Sequence, residues 1–237
     1  MDVGFIRRLL AEFLGTAFLL IAVIGSGIAA QRLSPHDAGI ELFENAGATG
    51  AALVAVIFAF GPVSGAHLNP LVTLADRAFR RTTTRDAAGY IAAQVGGAGV
   101  GVVVANLMFS EPAVEWSAKT RSGGGLWLAE GVATLGLLLV VFGVARSGRS
   151  PVAPFAVGAY IAGAYFFTSS TSFANPAVTL ARMLSNTFAG IDAASVPAFI
   201  AAQCVGAVAA VVAIRVLFSD VAAVAEQVVV PHDQEFA

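Results

Sequence analysis

The sequence predicts an all-α membrane protein, with six membrane-spanning helices and two short helices that enter the bilayer without crossing it, related as an inverted repeat. Three observations lead there. Apolar residues make up 57% of the 237-residue chain and charged residues only 12%, with a mean hydropathy of +0.81, a balance that a water-soluble domain does not carry. An Asn-Pro dipeptide followed by an apolar run occurs twice, at Asn69-Pro70 and Asn175-Pro176. The spans around these boxes also repeat: Leu10-Ala11-Glu12 answers Leu128-Ala129-Glu130, and the run 90–94 ending in Gln94 answers 199–203 ending in Gln203.

The elements follow in order. The first span covers residues 5–30, and its apolar stretch 13–28 is long enough to stay in the membrane rather than be cleaved as a signal peptide. Gly15, Gly25 and Gly27 in it suit close helix approach. A polar loop leads to the second span, 42–60. The first Asn-Pro helix runs from Asn69 to about Phe79 and ends in the basic segment 80–85. The third span is 87–109, and a loop with Gly123-Gly124-Gly125 separates the halves. Spans four and five are 126–145 and 152–168, the second Asn-Pro helix runs from Asn175 to about Leu184, and the sixth span is 194–218, followed by a polar tail. The halves occupy about 5–110 and 124–219. Three spans per half is an odd number, so the copies lie inverted in the bilayer. With both termini in the cytoplasm, nine of the 13 Lys and Arg residues fall inside and Arg32, Lys119, Arg121 and Arg182 fall outside, the sense the positive-inside rule favours.

Asn is a good N-cap, and Pro suits the first helical position because its missing N–H would be unpaired there anyway. A helix that starts at membrane depth presents orphan backbone donors and a positive dipole end. Irregular backbone at that depth survives only where it is buried or lines a wet cavity. Two such starts, one per half, point to a polar path through the membrane.

Duplicated boxes of this kind resemble those of the aquaporins, the major intrinsic proteins. The likeness rests on Asn69-Pro70-Leu71 and Asn175-Pro176-Ala177, with Ser64-Gly65 and His67 ahead of the first, and it spans nearly the whole chain. Leu71, in place of the usual Ala, departs from the pattern. The resemblance implies an aquaporin-like right-handed bundle over 1–237 as one transmembrane channel domain, passing small uncharged solutes and water, set in membrane lipid as a homotetramer in a bacterial inner membrane. It implies that Asn69 and Asn175 donate to passing solutes, and that Glu12 and Glu130 accept hydrogen bonds from loop amides leading into the half-helices. A proton relay is the competing reading of the two acids, since a buried carboxylate is costly unless partnered. His67 reads either as a packing group or as part of an inner-mouth gate.

The resemblance also places a selectivity filter at Thr49, Gly163, Ser172 and Val178, counted from the two boxes. Relatives mostly carry arginine where this chain has Val178, so the ring is expected to be wide, uncharged and mildly polar. Arginine-less filters with valine resemble those of bacterial arsenic-resistance aquaporins, which implies arsenous acid and methylated arsenicals as solutes; a general water, glycerol or urea channel is the alternative. Arg182 lies four residues after Val178 on the same helical face, and side chains lean toward the helix N-terminus. It can bend back toward the filter, but an anchor at the outer surface or a salt bridge near the mouth is the preferred expectation. Its counterpart in the first repeat is Asp76.

Other functions find little support. A net charge of −2 leaves no footprint for nucleic acid. Three scattered histidines, His36, His67 and His232, form no metal-ligand set, and no nucleophile or phosphate motif occurs, so neither an enzyme nor a cofactor is expected. Cys204, the only cysteine, cannot form an internal disulfide and reads as a small apolar packing residue. A secondary transporter shares the broken helices and inverted repeats and is the less favoured rival.

Overall fold

The computed structural model describes residues 3–146 and 150–218. Arg149 and the tail beyond 218, with His232, lie outside the described residues. The described chain is helical, with no strand among the described residues. Its order is α1 (Val3–Leu33), α2 (Ala38–Ser64), the short α3 (Pro70–Ala78), α4 (Thr84–Met108), α5 (Gly124–Arg146), α6 (Ala153–Phe167), the short α7 (Pro176–Ala181) and α8 (Val196–Leu217).

Five of these, α1, α2, α4, α5 and α8, are long and apolar enough to cross a membrane. The remaining long element, α6, has 15 residues and rises only ~22 Å. A 3₁₀ turn over Ser150–Val152 precedes it directly and brings the apolar rise to about 28 Å, close to the hydrocarbon thickness. A second 3₁₀ turn, Arg182–Leu184, continues α7.

The two halves make the same pairings. In the first, α1 packs on α4 and α2; in the second, α5 packs on α8 and α6. The halves join where α2 meets α6, and each short helix reaches across: α3 packs on α8, α7 packs on α4, and α3 and α7 touch. Close approach of α1 and α4 depends on small residues. A Cβ added at Gly97 or Gly101 would collide with the carbonyl oxygens of Phe13 and Ala17, and in the second half one at Gly206 would strike the backbone of Gly131. Lipid supplies no hydrophobic drive between helices, so this backbone contact is what packing has to offer.

The core sits between the halves. Leu20, Val23, Ile24, Val102, Leu137, Ala174, Ala177 and Val178 belong to one buried cluster. Leu71 lies in a second cluster, buried against Val72, Ala75 and Phe79 with Leu138 and Phe142, and does not line the central cavity. Cys204 is exposed on α8.

Candidate functional site

The loops that deliver α3 and α7 are twins. Ala66 and Leu68 in one, and Ser172 and Ala174 in the other, have φ of 46°, 51°, 49° and 47°. Each left-handed non-glycine residue costs about 1 kcal/mol or more, so the loops need external bracing. Two buried carboxylates brace them. Glu12 accepts from the Ser64 hydroxyl (2.6 Å), the His67 N–H (2.9 Å), the Leu68 N–H (2.8 Å) and Gln94 Nε2 (2.8 Å). Glu130 accepts from the N–H groups of Phe173 and Ala174 (2.9 Å each) and from Gln203 Nε2 (2.6 Å). The second hydrogen of each glutamine amide goes to a threonine of the short helix, Thr73 or Thr179, whose hydroxyl returns to the Asn69 or Asn175 carbonyl.

The bracing brings the two helix starts together. Asn69 Oδ1 caps α3 by accepting from the Leu71 N–H (2.9 Å); Asn175 Oδ1 caps α7 by accepting from Ala177 (3.0 Å) and Val178 (3.3 Å). Each amide nitrogen donates across the centre, Asn69 Nδ2 to the Ala174 carbonyl and Asn175 Nδ2 to the Leu68 carbonyl, both at 2.8 Å. One N–H of each amide is then left with no protein acceptor among the described residues, and both side chains line a cavity of about 530 Å³. Pro70 and Pro176 occupy the first helical position, where no N–H is missed.

The cavity walls are mostly apolar, from residues such as Leu53, Ile57, Leu137 and Val157. Polar groups are few. His67 lines the cavity, with Nδ1 3.1 Å from the Thr73 hydroxyl and its ring edge-on to Tyr90. Thr49, Ser172 and Val178 also line it. Val178 is 5% exposed. The Ser172 hydroxyl is buried and has no hydrogen-bond partner among the described residues.

Two expectations are overturned. Gly163 is on the exposed face of α6 and does not line the cavity. Two residues along a helix turn the side-chain direction by roughly 200°, and the cavity takes Ile161 and Tyr165 instead. Tyr165 brings a phenol that the count from the box passed over; its hydroxyl is 3.3 Å from that of Thr49. The signal in the sequence was a tyrosine one turn after Ile161, one of two polar aromatics, with Tyr160, on an apolar helix.

Arg182 is the second correction. It is neither a surface anchor nor part of a salt bridge among the described residues: it is 2% exposed and lines the cavity. Its guanidinium lies over the Phe173 ring, 3.4 Å from the centroid, and Nε donates to the Ala189 carbonyl. The cavity therefore holds a guanidinium even though position 178 is valine. Asp76, its counterpart in the other half, is buried at the far end of α3 and accepts from the Thr82 hydroxyl.

The loop between the halves packs over the end of α7. Glu115 and Ser117 donate to the Leu184 and Met183 carbonyls, and Ile191 donates to the Arg182 carbonyl. Arg121 Nε reaches the Gly190 carbonyl (2.9 Å) and Lys119 Nζ the Phe188 carbonyl (2.7 Å). Burial, and then the nearby Arg121 and Arg182 charges, push the Lys119 ammonium down to about 8.

This arrangement of paired caps, crossed amides and twin braces coincides with a family match. The model of the major intrinsic proteins fits residues 1–172 and again 155–235. The chain belongs to the major intrinsic protein family. It is 49% identical over 209 residues to aquaglyceroporin AqpS of Rhizobium meliloti, covering 88% of this chain and 89% of that one. It is 31% identical over 251 residues to aquaporin AqpM of Methanothermobacter thermautotrophicus, covering 92% and 100%. The X-ray structure of the aquaglyceroporin from Plasmodium falciparum superposes with a TM-score of 0.71 over 92% of this chain and 98% of that one, at 22% identity, a likeness of fold. Membership makes the chain an integral membrane channel and not an enzyme.

Proposed function

We propose that this major intrinsic protein is a passive pore for water and for glycerol-sized uncharged solutes, with arsenous acid and methylated arsenicals among them. The observation that carries the reading is the pair of crossed amides at the centre of the cavity. Each Asn keeps one N–H for a passing oxygen, and both helix dipoles turn their positive ends to the same point, which opposes cations. The names of AqpS as an aquaglyceroporin and of the Plasmodium protein as another agree with a solute larger than water.

At the outer neck, Thr49, Tyr165 and Ser172 offer hydroxyls and Val178 an apolar wall. A polyhydroxy solute needs both, since its hydroxyls exchange water for protein partners while its apolar side slides on the wall. Arsenous acid, neutral and bearing three hydroxyls, has the same requirements as glycerol. Glu12 and Glu130 act as braces for the loops, and His67 lines the inner side of the Asn pair. The pore would work as one of four in a homotetramer, both termini cytoplasmic, in a bacterial inner membrane; apolar outer faces such as Val205, Val208, Val212 and Val216 on α8 suit lipid or a sister subunit.

The test is a flux panel in proteoliposomes with water, glycerol, urea and arsenous acid. The reading expects glycerol and arsenous acid to pass at least as readily as water. Val178→Arg should lower glycerol and arsenous acid flux several-fold more than water flux. An unchanged ratio would remove Val178 from the filter.

A further inference from the structure

We propose that Arg182 supplies the pore's fixed positive charge from a position four residues beyond Val178, and that its terminal nitrogens, with the unpartnered Ser172 hydroxyl and the Thr49–Tyr165 pair, form a subsite for the acceptor oxygens of a neutral hydroxylated solute. The inference rests on reading the central cavity as the pore.

The geometry brings the guanidinium back to the neck. Arg182 begins the 3₁₀ turn that follows α7, yet its guanidinium stacks on Phe173, the residue between Ser172 and Ala174 in the loop before α7. A side chain that starts beyond the helix and ends against the Phe173 ring leans back toward the helix N-terminus, as helical side chains do. Its charge therefore sits against a side chain of the loop before α7, in the cavity that Ser172 also lines.

The head is held but not consumed. Phe173 takes one face of the guanidinium and the Ala189 carbonyl takes Nε. Nη1 and Nη2 have no acceptor among the described residues, and the residue lines the cavity. Glu130, the buried carboxylate of the same half, has its oxygens occupied by Phe173, Ala174 and Gln203. A buried guanidinium without a carboxylate is costly unless polar groups or water complete its shell. Here the open side is the lumen, so water or solute oxygens complete it.

Ser172 gives the independent indication. The residue is 3% exposed and lines the cavity, and its hydroxyl is buried with no partner among the described residues, a state that costs about 1–3 kcal/mol unless a small rotation lets it meet an oxygen in the lumen. Arg182 donates only, whereas Ser172 both donates and accepts. Together they match an oxygen that accepts from Arg182 and, through its own hydrogen, donates to Ser172. Water and polyols fit this pattern; a metal cation or hydronium does not.

The test uses proteoliposomes of the full chain and reads glycerol flux, water flux and proton leak under an imposed membrane potential. Arg182→Gln should raise proton or potassium leak about tenfold or more over the wild-type protein. Adding Val178→Arg to Arg182→Gln should restore the block, because a guanidinium returns to the same neck. Arg182→Lys keeps the charge on a flexible stem and should stay tight to cations, yet lower the glycerol-to-water ratio several-fold, since the fork of donors is lost. Should the Gln variant fail to assemble, the Lys variant alone decides by its solute ratio. Wild-type leak in Arg182→Gln, or an unchanged ratio in Arg182→Lys, overturns the proposal. A wild-type protein that passes neither water nor glycerol overturns the pore reading instead.

Discussion

At the scale of single residues, the site depends on side chains that hold other groups in place. Glu130 touches no part of the cavity surface, yet two left-handed loop residues and a half-helix start depend on the backbone it grips. Glu130→Ala leaves the Phe173 and Ala174 N–H groups and one Gln203 N–H without an acceptor in a buried, apolar place. We expect a loss of roughly 3–5 kcal/mol, seen as an early unfolding midpoint in detergent, with Glu130→Gln intermediate because one carbonyl oxygen remains. An unchanged midpoint in the Ala variant would show that the loop holds itself. Arg182 illustrates the opposite dependence. Its path is set by Phe173 before α7 and Ala189 after it.

At the scale of elements, the half-helices were legible in the sequence and the phase of α6 was not. Asn followed by Pro carries its own physics, a cap and a first-turn residue, so both starts could be read from two letters. The buried acids were legible for a similar reason, since a carboxylate in an apolar span has to be partnered. The face of α6 had no such marker. It is apolar nearly all round, and counting back from Asn175 passes through the irregular stretch 168–174, where a fixed offset loses meaning. That is why Gly163 was expected in the filter and Tyr165 was missed. Arg182 was misplaced because its destination depends on tertiary partners that local spacing does not contain. Helix contacts yield a sharper prediction. On α4, a Cβ at Gly101 would strike the Ala17 carbonyl and lie 2.9 Å from the Leu20 Cβ, whereas one at Gly99 meets nothing within 4 Å. Gly101→Ala should destabilise by about 1–3 kcal/mol, and Gly99→Ala should be neutral or slightly stabilising through helix propensity. Equal midpoints for the two variants would mean that α1 and α4 can part without cost.

At the scale of the molecule, near-symmetry of backbone is combined with asymmetry of side chains. Both halves repeat the brace, the glutamine, the threonine and the crossed amide. They differ two residues before each Asn, where His67 answers Phe173, and seven after, where Asp76 answers Arg182. The symmetric parts place two positive helix ends at one point; the asymmetric parts make one end of the cavity cationic. The direct measurement is glycerol influx into proteoliposomes as a function of external concentration, with and without an imposed proton gradient. The account predicts a rate that rises linearly with concentration and ignores the gradient. A rate that saturates at low concentration and follows the proton gradient would mean that the two half-helices serve a transporter's binding site and not an open path.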